Sequence, residues 1–378
     1  MSFGHYNDGP EKPSSLREKL KEFAGALRNL PRAFELLWQA DPKSTLGMGA
    51  ATLVGVSYVG TEGHRLIADL EANPSNPALC LSVSQASQVQ PNTPTCGPFG
   101  ETGLFYPVTG AVISNMREPF GPNFGSDGWF ATMANSNYNA LEVTVRHSTG
   151  PLDFLAGYTY SKSLDNASGW GGGQGDMINP LNYKATKSLS AFDLTNNFVL
   201  SYSYRLPFAK LWHPNRLTDG WMVTGITRFS TGLPPFLSEP DDMSLLGTPY
   251  SGPNGNGIDE PNYTPGNLDI TNPRNADPST ESNPYFNTSL FTKETLGQLG
   301  NASRRFFHGP GLNNWDFALL KELHLSESKS FEFRGEFFNL YNHAQFGEPQ
   351  GSILNSSFGF VTSANSPRIG QVAIKFLF

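Results

Sequence analysis

Gly370-Gln-Val-Ala-Ile-Lys-Phe-Leu-Phe378 closes the chain, and its alternation decides how the rest reads. Gly370, Val372, Ile374, Phe376 and Phe378 fall on one face of an extended segment; Gln371, Ala373 and Lys375 fall on the other, with Leu377 the exception. Strict alternation is the period-2 signature of a strand whose two faces have different surroundings. The termini of soluble domains tend to fray in water, whereas a last strand that presents aromatic residues to lipid is ordinary in an outer-membrane barrel. An edge strand of a soluble sheet would alternate too, so the terminus alone leaves both readings open.

The same period recurs upstream. In 331–337, Phe331, Phe333, Gly335 and Phe337 oppose Glu332, Arg334 and Glu336. In 139–147, Leu141, Val143 and Val145 oppose Glu142, Thr144 and Arg146, and in 152–161 Leu152, Phe154, Ala156, Tyr158 and Tyr160 share a face. Ser148-Thr-Gly-Pro151 between these two is a compact turn, which predicts a hairpin. Further strands are expected at 198–206, 221–229 and 315–323, with short ones at 54–59 and 65–70, giving about nine to ten. Three consecutive inward charges would be costly in a dry core but suit a water-filled lumen or the wet face of a sandwich. Connections separate these cases: short turns (148–151, 324–330) alternate with long segments (71–137, 162–197, 232–312), as in outer-membrane barrels. The expected fold is therefore all-β: a partial transmembrane antiparallel β-barrel with long extracellular loops and a short N-terminal helical segment.

Composition agrees. Charged residues make up 16% and aromatics 12%, and Gly (39) and Pro (29) are plentiful. A mean hydropathy of −0.34 does not argue against a membrane, because half of each barrel strand is polar. A net charge of −7 without a basic cluster argues against a nucleic-acid partner. Cys80 and Cys96 lie in a Pro/Ser/Gln-rich stretch that allows one loop disulfide in an oxidising compartment, or two thiols.

Residues 1–55 have another character. Ser15 and Glu18 match a capping box, and Leu16, Leu20, Phe23, Leu27 and Leu30 form an apolar helical stripe. This predicts an amphipathic helix, on a membrane surface or on a sheet. The uncharged run 46–60 is shorter than a spanning helix, and no secretory signal is visible at the start of the chain.

No enzyme site emerges, and neither a cofactor nor a metal is expected. The seven histidines (5, 64, 147, 213, 308, 324, 343) lack metal-ligand spacing and are read as surface or loop residues. Tyr158 and Lys162 match the Tyr-x-x-x-Lys pair of short-chain dehydrogenases, but on a strand and without a dinucleotide turn. The glycine-rich stretch 169–175 fits no phosphate-binding motif, and the acids of 251–288 lack calcium-loop spacing; both read as solvated loop. Trp129, Trp170, Trp221, Trp315 and Tyr341 are candidates for interfacial girdles.

Several motifs carry a family resemblance. Phe337-Phe-Asn-Leu-Tyr-Asn-His343, Phe346-Gly347, Ser357-Phe-Gly359 and Pro367-Arg368, ahead of the terminal strand, resemble the C-terminal end of TonB-dependent receptors of the Oar-like, carboxypeptidase-regulatory type found in Acidobacteria. Val56-Ser-Tyr-Val-Gly-Thr-Glu-Gly-His-Arg-Leu66, Tyr138-Asn-Ala-Leu-Glu142, Tyr158-Thr-Tyr-Ser-Lys-Ser-Leu-Asp165 and Phe229-Ser-Thr-Gly-Leu-Pro-Pro235 resemble strand-and-turn motifs of the same barrel, in the same order. The resemblance spans 56–378 and implies nutrient uptake across the outer membrane, with lipid and the barrel-assembly machinery as partners. It makes Gly370, Val372, Ile374, Phe376 and Phe378 the signal that this machinery reads. The TonB complex would engage only through a plug, which 56–378 does not resemble. Residues 27–49 instead resemble the cytosolic lead-in of an ABC exporter membrane subunit, which suggests a foreign segment joined near Gly55. The expectation is a receptor-barrel fragment without transport competence of its own. A small self-closing porin-like barrel and a soluble all-β surface or carbohydrate-binding domain remain as alternatives.

Overall fold

In the computed structural model the described residues are 52–71, 128–168, 182, 184–239, 244, 260–277, 283–295 and 298–378. The expected amphipathic helix carrying Leu16 to Leu30, Cys80, Cys96, Trp170 and the glycine-rich stretch 169–175 lie outside them.

One antiparallel sheet dominates. Its long strands are β1 (Thr52–Glu71), β2 (Gly128–Thr149), β3 (Leu152–Asp165), β5 (Asn196–Arg205), β6 (Trp221–Ser230), β9 (Leu312–Ser326), β10 (Lys329–Phe338) and β11 (Ile369–Leu377). They pair in chain order, and the two-residue β4 (Ser188–Leu189) adds to the end of β3. The two strands expected at 54–59 and 65–70 are one: β1 runs through both against β2, with its register shifting between Gly63 and Ile67. Among the described residues the order of pairing ends at β1 and β11, which do not meet, so these strands do not close a barrel. Among the described residues no helix is long and apolar enough to cross a membrane, which says nothing against crossing by strands.

Strand length fits a bilayer. β5, β6 and β10 have 10 residues each. At about 3.3 Å per residue and the usual barrel tilt, such strands cover an apolar band of roughly 25 Å.

Register turns the alternation into two continuous faces. Val56, Val143, Tyr158, Phe198 and Phe229 stand in one cross-strand row, and Phe331 faces Phe376, with Phe333 facing Ile374. The opposite face carries Ser57, Glu142, Thr159, Asn197 and Ser230 in another row, and Glu332 faces Lys375. The apolar face stays open: Val54, Val56 and Tyr58 are 64%, 60% and 70% exposed, and Val372 is 88% exposed.

The two ends of the sheet also differ. At one end β2–β3 and β9–β10 close by tight turns, with Gly150 at φ 70 supplying the left-handed residue of the first. The β5–β6 turn at this end holds a short helix, α1 (Phe208–Leu211). Long connections lie at the opposite end. The longest differs from the solvated loop that its Asn, Pro and Gly content predicts. Its described part pairs β7 (Asn262–Tyr263) with β8 (Phe291–Thr292) and buries Leu237, Tyr285, Phe286, Phe291 and Phe307. The ring of Phe286 lies 5.0 Å from Phe307 and 5.4 Å from Phe358, so the connection before β11 joins the same cluster. Asn272 and Asn287 cap its 3-10 turns by accepting from Arg274 and Ser289 backbone N–H groups.

Candidate functional site: the polar wall and its loop-end cap

Three successive polar-face positions of β3 hold the cap to the wall. Ser161 donates its hydroxyl to the Leu194 carbonyl at 2.8 Å. The Ser163 N–H donates to Asp193 Oδ1 at 2.5 Å, and its hydroxyl meets that of Ser190 at 2.8 Å. Asp165 Oδ1 accepts from Arg304 Nη2 at 2.5 Å, with both side chains buried. Arg304 also donates from Nε to Ser188 Oγ (2.9 Å) and the Thr186 carbonyl (3.1 Å). Burying two charges is repaid only when the remaining donors are satisfied in this way. These residues explain physically why 158–165 reads as a motif: its alternate positions carry the cap.

One histidine departs from the surface or loop reading, and another is a loop residue with a buried partner. His147 is 4% exposed at the end of β2, its ring stacked 5.6 Å from Phe154. His308 sets Nε2 2.8 Å from Asp193 Oδ2, and its carbonyl accepts from the Tyr285 hydroxyl at 3.1 Å. Burial pushes the Tyr285 phenol up to about 12. His147 and Phe154 face each other across the predicted hairpin, whereas nothing local announces His308 and Asp193, which lie 115 residues apart.

The motif 337–343 turns the chain from the end of β10 toward the cap. Asn339 and Asn342 adopt positive φ (53 and 50), which Asn tolerates better than most residues. Asn339 exchanges hydrogen bonds with His343 through Oδ1 and Nδ2, both at 2.9 Å. Asn342 Oδ1 accepts from the Arg368 N–H at 2.9 Å, which pins the lead-in to β11. In 229–235, Gly232 sits where a Cβ would run into the carbonyls of Gly309 and Pro310.

The five proposed assembly-signal positions are brought together on the outer edge strand. Phe376 packs 4.8 Å from Phe331 and 5.7 Å from Phe378, and the ring of Phe337 covers Gly370. Phe378 is 92% exposed. Of the girdle candidates, Trp221 and Trp315 lie on the apolar face near opposite ends of the strands. Trp221 donates to the Leu217 carbonyl at 2.7 Å, and Trp315 stands edge-on to Phe229 and Tyr341, both at 5.6 Å.

Two hollows mark the polar wall. A trough of about 450 Å³ spans β3 to β10 in mid-sheet, floored by Ser201, Thr224 and Asp316. A crevice of about 300 Å³ lies toward the cap, between Arg228, Gln345 and Glu348. Burial raises the Glu348 carboxyl above its ordinary range, against the pull of Arg305. Among the described residues no group of three His, Cys, Asp or Glu is placed to hold a metal ion.

A family comparison agrees with this two-faced sheet. The profile of a family described as "Outer membrane beta barrel domain" matches residues 43–371. No curated protein matches. Among solved structures, the outer membrane transporter YddB from Escherichia coli is similar at 8% identity and a TM-score of 0.39, over 86% of this chain and 30% of that one. The ferric-catecholate import receptor Fiu from Escherichia coli is similar at 12% identity and a TM-score of 0.32, over 87% of this chain and 33% of that one. The chain thus spans about a third of the length of either.

Proposed function

Because the chain belongs to the outer-membrane β-barrel domain family, we propose that it forms part of the wall of a solute-uptake receptor of the TonB-dependent, Oar-like kind that its motifs resemble. Its place is the outer membrane. The observation that carries the uptake reading is the inward anchoring of the cap: Arg304, Asp193 and His308 tie loop-end segments to the polar wall, over the mouth of the would-be lumen. In this reading the cap faces outward and meets solute first, and the apolar face meets lipid.

Edges β1 and β11 need partners in this setting, because unpaired backbone groups are not tolerated against hydrocarbon. The sheet is then one arc of a wider barrel, and it is not transport-competent until the remaining arc is supplied. Gly370, Val372, Ile374, Phe376 and Phe378 serve as the signal read by the barrel-assembly machinery.

The test is to produce the full chain behind a signal peptide in a Gram-negative host. Expected are outer-membrane fractionation, protease cleavage within 231–311 on intact cells, and loss of most membrane-assembled protein in Phe376→Asn and Phe378→Asn. A folded monomer in the periplasmic fraction would sink the barrel reading. Cleavage of 231–311 only after the periplasm is opened would reverse the cap, and unchanged assembly in both variants would remove the signal.

A further inference from the structure

Two adjacent register rows form the mid-wall trough, and their chemistry is unlike the rest of the polar face. In the first, Leu155, Ser201, Ile226 and Asp316 follow one another from β3 to β9. In the second, Asp153, Ser203, Thr224, Ala318 and Glu336 follow from β3 to β10. Neither row holds a lysine or arginine between β3 and β10; Arg146 continues the first row beyond Leu155 on β2, and Arg228 and Arg334 stand in the flanking rows.

The apolar members are out of place on a polar wall: Leu155 is 48% exposed and Ile226 50%. They stand two strands apart, about 9.5 Å, with the Ser201 hydroxyl between them. Asp316 completes the row with an acceptor. Its Oδ1 already takes the Asn339 N–H and Asn314 Nδ2, both at 3.0 Å, which fixes the carboxylate and leaves Oδ2 for the trough. Glu336 is balanced by Arg334 Nη1 at 3.4 Å and held by Gln371. The trough therefore offers fixed acceptors, adaptable hydroxyls and two apolar shelves, and the charged residues that line it, Asp153, Asp316 and Glu336, are all acidic, which disfavours an anion.

We propose that this trough is a subsite for a neutral, hydroxyl-rich solute, with a saccharide ring laying its C–H face on Leu155 and Ile226 and donating hydroxyls to Asp316. The subsite rests on the uptake reading and names its substrate class. Ser201, Ser203 and Thr224 exchange hydrogen bonds with the remaining ring hydroxyls. Such a shallow, polar site on an open wall binds weakly, as one rung of a path needs solute both to enter and to leave.

The experiment titrates the full chain in detergent micelles with maltohexaose, citrate and spermidine, read by saturation-transfer NMR and calorimetry. Expected is maltohexaose binding with Kd on the order of 1 mM and no binding of citrate. Ile226→Arg, which removes a shelf and adds a cation, should weaken it by about tenfold or more; Ser201→Val should weaken it less. A far-ultraviolet dichroism spectrum identical to that of the parent shows that each variant has folded, and Thr144→Arg, outside the trough, should leave binding unchanged. Tighter binding of spermidine or citrate than of maltohexaose, undiminished maltohexaose binding in Ile226→Arg, or binding of none of the three overturns the proposal. Binding in micelles requires no transport, so a chain that reaches the outer membrane yet fails this titration loses the saccharide subsite while keeping the uptake reading.

Discussion

The two faces of the sheet are made by the same strands and meet opposite fates. On the polar face, buried Arg304 and Asp165 and the row of β3 hydroxyls draw chain segments down onto the wall. On the apolar face, Val54, Val56, Ile374 and Val372 stay between 60% and 88% exposed. A water-soluble sheet does the reverse, covering its apolar side first because that burial drives folding. The inversion means that the apolar face already has its solvent, and that this solvent is hydrocarbon.

The comparison is most exposed to attack at the latch. Replacing Arg304 by Ala leaves Asp165 charged and buried, and should cost about 3–5 kcal/mol of cap stability. Limited proteolysis and hydrogen exchange in 231–311 should register the loss while the sheet's dichroism is unchanged. The double change Arg304→Met with Asp165→Leu should be far milder, since both charges leave together. Equal damage from the two would mean that packing, not the ion pair, holds the cap.

A single cation tested on each face sharpens the contrast. Val143→Arg on the apolar face should destabilise vesicle-inserted protein by about 2–4 kcal/mol. Thr144→Arg, its neighbour on the polar face, should change stability by no more than about 0.5 kcal/mol. Urea unfolding in vesicles reads both. Similar losses would remove the distinction between a lipid side and a lumen side.

How much of this was legible follows from the range of the forces. Strands such as 331–337 and 370–378 announce themselves because their order is periodic and local; each face is written into every second residue. The cap is not, because Phe286, Phe307 and Phe358 lie in aperiodic, Asn- and Pro-rich chain and become a core only when brought together in space. The burial of His147 and the contact of loop residue His308 with Asp193 escape a local reading too, because both depend on how strands and loops come together. The single strand β1 was read as two because the irregular register around Gly63–Ile67 interrupts its alternation.

The smallest effect concerns pH. The folded pKa of Tyr285 is raised from 10.0 to about 12 by burial. A raised value means the neutral phenol is favoured in the fold, so its contribution is complete below pH 10 and is lost as pH climbs through about 12. The cap should therefore loosen in that window, seen as faster exchange of cap amides relative to the sheet. Tyr285→Phe, which cannot ionise, should flatten the dependence; an unchanged profile would assign it to other groups.

The Arg304–Asp165 latch has a further consequence, in time rather than energy. Its partners are 139 residues apart, and between them lie β5 and β6 and most of the cap. Closing so long a loop is slow unless intervening structure forms first. The latch is therefore expected to engage late, once the pairing of β3, β5 and β6 has shortened that loop. A chain that mispairs one hairpin leaves its guanidinium and carboxylate apart, with the mouth unsealed.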